Sequence, residues 1–118
     1  MRIRKSLFPA VLALSFICSA ASAQSLMEQA GAHISAGRHA AAYAVLAPQE
    51  SERAGDPEFD LLLGIAALET GRHTRAVFAL ERVLAEQHDN ARARAEIGRA
   101  YLALGESESA RRELQAVR

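Results

Sequence analysis

The sequence predicts an all-α solenoid of about three antiparallel helical hairpins, six helices in all, and three series of residues predict it. Glycines stand at Gly37, Gly71 and Gly105, alanines at Ala42, Ala76 and Ala110, and leucines at Leu46, Leu80 and Leu114. Within each series the interval is 34 residues, one of the periods of helical hairpins that stack side by side. The segments 37–41 and 71–75 also open with the same three residues, Gly-Arg-His.

The repeats occupy residues 24–118, in units of about 24–56, 57–90 and 91–118, and residues 1–23 read as a secretory signal peptide. Arg2, Arg4 and Lys5 form a positive start, Leu7 to Ile17 is mostly apolar, and Ala21-Ser22-Ala23 offers small residues for cleavage before Gln24. The apolar run is too short for a membrane span, and Pro9 interrupts it. The expected location is therefore a bacterial periplasm or the exterior. Cys18, the single cysteine, follows the bulky Phe16 and Ile17, a poor context for lipid attachment, and cleavage would remove it. The 118-residue chain balances 14 basic against 14 acidic residues, while residues 24–118 keep 11 arginines and all 14 acids, a net charge near −3. That balance argues against a nucleic-acid surface.

Each element then follows from local signals. The first helix is predicted over Leu26–Ala36, with Leu26, Met27, Ala30 and Ile34 apolar and Gly37 closing it. The second runs from Arg38 or His39 to about Ala47, where Pro48 ends or kinks it; residues 49–55 are a helix tail or a loop. Asp56 caps the third helix and Pro57 suits its first turn. This helix is apolar nearly all round up to Thr70, which implies neighbours on more than one side. Leu62 and Leu63 are core positions within it. The fourth, from Arg72 or His73 to about Glu86, carries Ala76, Val77, Leu80, Val83 and Leu84 at helical spacing. After the polar turn His88-Asp89-Asn90, with Asn90 as cap, the fifth spans Ala91–Leu104, and the sixth follows Gly105 from about Ser107.

Small residues explain how the hairpins close. Gly64 and Gly98 lie seven places before the loop glycines, with Ala30 equivalent in the first unit. Together with Leu63, Gly71, Ala76, Leu80 and Val83 in the second unit, and Ile97, Tyr101, Gly105, Ala110, Leu114 and Val117 in the third, this pattern resembles the tetratricopeptide repeat. The first unit is degenerate, with Gln29 and His33 at positions held by Ile97 and Tyr101 in the third.

The resemblance implies a right-handed solenoid that binds a peptide or partner protein on an inner surface supplied by the first helix of each hairpin. Carried over by position, the groove candidates are Met27, Ile34, Leu61, Ile65 and Leu68, with Arg92 and Arg99 at one end. Glu58, Glu69, Ala95 and Leu102 occupy further inner positions. Two readings stay open: these apolar residues line a groove, or they bury against one another. An exposed groove predicts that Ile65→Lys folds but loses its partner. The family's carboxylate clamp does not fit, because Leu61, Ile65 and Ala95 replace its polar groups and residues 24–118 lack lysine. At the other end, Ile97, Tyr101, Leu114 and Val117 form a candidate apolar patch on an open C-terminal face, which is tolerated, self-associates into a homo-oligomer, or docks on another protein. More loosely, the phrase AVFALERVL at 76–84 resembles periplasmic repeat domains of outer-membrane proteins of the surface lipoprotein assembly modifier type. An outer-membrane partner is the corresponding alternative.

No cofactor, metal or catalytic residue is expected. His33, His39, His73 and His88 form no HxxxH pair and have no cysteine partner. Ser35, Ser51, Ser107 and Ser109 lack a base–acid arrangement, and the acidic pairs Glu50/Glu52 and Glu106/Glu108 are expected to be solvated at helix starts.

Overall fold

The computed structural model describes residues 18–117, with side chains from Ser25 onward. Its elements are α1 (Cys18–Ser35), α2 (His39–Leu46), a 3₁₀ turn (Ala47–Gln49), α3 (Glu50–Arg53), α4 (Pro57–Glu69), α5 (His73–Glu86), α6 (Ala91–Ala103) and α7 (Ser107–Gln115). Among the described residues there is no strand. The expected signal peptide lies outside the described side chains. α1 begins at Cys18, earlier than the predicted Leu26, and runs through Ala23-Gln24.

The three loop glycines behave alike. Gly37, Gly71 and Gly105 have φ of 78°, 81° and 79°, the left-handed region in which a Cβ is strained. Around each, the following N–H reaches back over the helix end: Arg38 to His33 O, Arg72 to Ala67 O and Glu106 to Tyr101 O, each at 2.8 Å. With the glycine N–H groups donating to Ile34, Leu68 and Leu102, these are three copies of one Schellman cap. Helix starts follow the sequence too. Asp56 accepts from the Glu58 N–H at 3.1 Å, and Asn90 from the Ala93 N–H at 2.9 Å. Pro48, with no N–H to donate, ends α2 at Leu46 and diverts the chain through the 3₁₀ turn into α3. Segment 49–55 is thus a helical tail that ends at Gly55, φ 103°.

Three hairpins result: α1 with α2, α4 with α5, and α6 with α7. They stack through α2 and α1 on α4, and through α5 and α4 on α6. One core lies between the first and second hairpins (Ala30, Ala42, Leu46, Phe59, Leu63, Ala66, Ala79) and another between the second and third (Ala67, Leu68, Ala76, Val77, Leu80, Val83, Ala93, Ile97, Ala100). Five positions recur one repeat apart in the two cores: Ala42 and Ala76, Leu46 and Leu80, Phe59 and Ala93, Leu63 and Ile97, Ala66 and Ala100. Within the second hairpin, a Cβ built on Gly64 would stand 2.7 Å from Leu80 Cγ, and in the third, one on Gly98 would stand 2.8 Å from Leu114 Cγ. The glycines are what let each leucine seat on the facing helix. The sequence reading omits Phe59, which is wholly buried; Leu62, expected in the core, is only half-buried.

Candidate interaction surfaces

The groove candidates divide by exposure. Met27 and Ile34 are half-buried and pack on the first inter-hairpin core, while Leu61 is half-buried against the second. Ile65 and Leu68 are 5% and 6% exposed, and Leu68 belongs to the second core outright. Both are closed to a ligand as placed, Leu68 because α6 packs on α4 and α5. The accessible apolar side chains of the inner positions are therefore Met27, Ile34, Leu61 and, on α6, the exposed Leu102.

The basic end is not free charge. Arg92 donates from Nε to Glu96 at 2.8 Å, Arg99 donates from Nη1 to the same carboxylate at 2.6 Å, and Arg99 Nη2 reaches Glu69 on α4 at 2.6 Å. Glu96 is buried and Glu69 partly so, and the hydrogen bond to Glu69 raises the Arg99 pKa above its ordinary value, against the opposing cost of burial. The two arginines thus neutralise acids of this chain, and Arg99 ties α6 to α4. They do not wait for a ligand carboxylate.

A second network was invisible to single-position reading. Asp60, wholly buried at the start of α4, accepts from Arg82 Nε at 3.1 Å and Nη2 at 2.8 Å, and its other oxygen accepts from the Gly55 N–H at 2.8 Å. Arg82 Nη2 also reaches Glu50 on α3 at 2.9 Å, and Arg75 holds Glu50 from Nε and Nη2 at 3.1 and 2.7 Å. Glu50 is not the solvated acid expected. It joins the tail of the first hairpin to the second. Arg72 stacks 4.0 Å over the Tyr43 ring, adding a cation–π contact across the same junction. One repeat after Asp60 and Arg82 stand Arg94 and Ala116. Here Arg94 pairs with Glu113 at 2.9 Å and donates to His88 O, and a cleft of about 320 Å³ opens between His88, Asp89, Ala91, Arg94, Ala116 and Val117. The cleft marks the place of the smaller side chain, and the arginine in it is already paired.

The candidate terminal patch also needs correction. Ile97 is 1% exposed, because its side chain faces back into the core with α5. Tyr101 is half-buried, and its hydroxyl donates to Glu81 at 2.9 Å. Leu114 and Val117 are exposed. Leu102, Leu104 and, apart from them on α5, Phe78 are also exposed; Phe78 is a large exposed apolar group that position counting overlooked. Among the described residues no group of three or more His, Cys, Asp or Glu is placed to hold a metal ion, and no helix is long and apolar enough to cross a membrane.

Stacked antiparallel hairpins with side-chain ion pairs at their junctions define a helical-repeat scaffold. The family model of the tetratricopeptide repeat matches residues 33–95 and again residues 67–118, two overlapping matches that begin one repeat interval apart. The chain belongs to the tetratricopeptide repeat family, whose members serve as protein-interaction modules. No curated protein matches it.

Proposed function

We propose that this protein is a periplasmic scaffold that holds a peptide or partner protein against the inner positions of its first helices, with apolar side chains as the anchors. The observation that carries this reading is the contrast between those positions: Met27, Ile34, Leu61 and Leu102 keep accessible apolar surface, while Arg92 and Arg99 are neutralised by Glu96 and Glu69. Such a face suits an apolar helix or extended segment better than an acidic tail. The periplasmic location rests on the signal-peptide features of residues 1–23. The alternative, a soluble domain of an outer-membrane assembly system, rests on the phrase at 76–84. There Ala76, Val77, Ala79, Leu80 and Val83 are buried and Arg82 pairs with Asp60, so packing accounts for nearly all of it.

The test is affinity capture from periplasmic and detergent-solubilised envelope extracts with wild type and Leu61→Lys in parallel. A partner retained by wild type and lost by Leu61→Lys, with helical content unchanged, is the expected result. Equal retention by both removes the inner positions from the binding site. Recovery of an outer-membrane barrel protein moves the assembly alternative to the front.

A further inference from the structure

Six of the seven glycines have a structural reason: four occupy the left-handed region and two admit a leucine. Gly31, inside α1, has neither. A Cβ built on it would meet nothing within 4 Å, and glycine within a helix costs stability relative to alanine. The repeat shows what this glycine leaves open. One and two repeats on stand Ile65, which is buried, and Arg99, which is ion-paired. On α1 the equivalent site is bare. It lies one turn after Met27 and one turn before Ile34, on the same helical face, and both of these are half-buried against the first inter-hairpin core.

The third hairpin shows how such a site is filled. There Glu96 is held by Arg92, four residues before it, at 2.8 Å and by Arg99, three residues after it, at 2.6 Å. Glu28 is the equivalent acid of the first hairpin, and Gln24 and Gly31 stand at the two arginine positions. Glu28 is exposed, and among the described residues no arginine pairs with it. We propose that the bare site over Gly31 is a subsite for an arginine of the partner protein, its guanidinium on Glu28 and its aliphatic stem across Gly31 between Met27 and Ile34. Arg99 on Glu96 is the internal template for the pair. Charge complementarity selects the occupant, because the first hairpin supplies the acid and the apolar neighbours but not the cation. Arginine suits the place better than lysine, since its planar fork can engage a carboxylate through two donors. The subsite rests on the inner-site reading and names the side chain that site takes.

The probe is a fluorescein-labelled peptide of alternating leucine and serine with one central arginine, compared with the same peptide carrying citrulline, the uncharged isostere. Each is titrated with the full chain and followed by anisotropy. The arginine peptide is expected to bind saturably and about tenfold or more tighter than the citrulline peptide, as one charged hydrogen-bonded contact requires. Glu28→Gln should abolish that preference. Gly31→Arg supplies the missing side chain within the chain itself, so it should melt at a higher temperature than wild type and lose the arginine peptide. Absence of saturable binding, equal binding of the two peptides by wild type, or a preference that survives Glu28→Gln overturns the subsite. A lower melting temperature or undiminished binding in Gly31→Arg overturns it too. Leu61→Lys separates the subsite from the reading beneath it. Binding lost in Leu61→Lys but kept in Gly31→Arg overturns the subsite and leaves the inner-site reading standing. Binding lost only in Gly31→Arg supports the subsite and removes Leu61 from the binding site, while binding that neither variant weakens overturns both.

Discussion

Asp60 on α4 and Arg82 on α5 form a pair in which the carboxylate is wholly buried and the guanidinium donates two hydrogen bonds to one of its oxygens. Breaking such a pair from one side strands the other charge. Arg82 keeps Glu50 and some solvent contact, which places the cost of Asp60→Ala at the lower end, about 3 kcal/mol. Urea denaturation measures it. A loss below about 0.5 kcal/mol would put the pair in the class of exposed ion pairs.

Glu50 extends this network to the first hairpin and makes the junction acid-sensitive. Its partial burial acts to raise its pKa, but the hydrogen bonds and charges of Arg75 and Arg82 outweigh that and hold it below the ordinary glutamate value. A carboxylate depressed in the folded state contributes stability that is present above its unfolded pKa and lost as pH falls through the folded one. Melting temperature should therefore fall on acidification from about pH 5, and Glu50→Gln should flatten that fall. An unchanged slope in the variant would assign the acid sensitivity to other carboxylates.

Tyr101 gives the opposite sign at alkaline pH. Burial, then the hydrogen bond and charge of Glu81, push its phenol up from 10.0 to about 12. A raised phenol contributes stability that is complete below its unfolded pKa and lost as pH rises through the folded one, here between 10.0 and about 12. In a Tyr43→Phe background, where Tyr101 is the remaining tyrosine, the ultraviolet phenolate titration should have its midpoint near 12. A midpoint near 10.0 would mean that neither the burial of the phenol nor its Glu81 contact is maintained in solution.

Ile65 and Leu61 separate the core from the surface at the inner positions. Ile65→Lys places an unpaired charge in a buried site and is expected to destabilise by more than about 2 kcal/mol. Leu61→Lys, at a half-buried position, should cost less than about 1.5 kcal/mol, since a lysine stem can lie along the surface with its ammonium in water. Thermal unfolding of the two variants decides. Equal losses would mean that Leu61 also is core and that the inner face is closed.

Much of this was legible because the repeat interval constrains backbone and small residues together. Gly37, Gly71 and Gly105 must be left-handed and Gly64 and Gly98 must admit a leucine, so element order, both side-chain caps and the close approaches followed from residue type and spacing. What spacing does not encode is which neighbour covers a face. Ile97 and Val117 look alike as apolar residues of the third unit, yet one faces back into the stack and the other outward. Ion pairs were hidden for a related reason. Glu50 and Arg82 lie far apart in sequence, and only the docking of α3 beside α5 brings them to 2.9 Å.

Equivalent positions in the second and third hairpins are built alike and differ in whether a neighbour encloses them. Unfolding free energies of Gly64→Ala and Gly98→Ala test it most directly. Both substitutions gain helix propensity worth about 1 kcal/mol, and both drive a Cβ into a leucine. Leu80 is enclosed and cannot yield, whereas Leu114 has solvent to move into. Gly64→Ala is expected to be the less stable variant by at least about 1 kcal/mol, with Gly98→Ala close to wild type. Equal losses would contradict it, for they would mean that Leu114 is as enclosed in solution as Leu80.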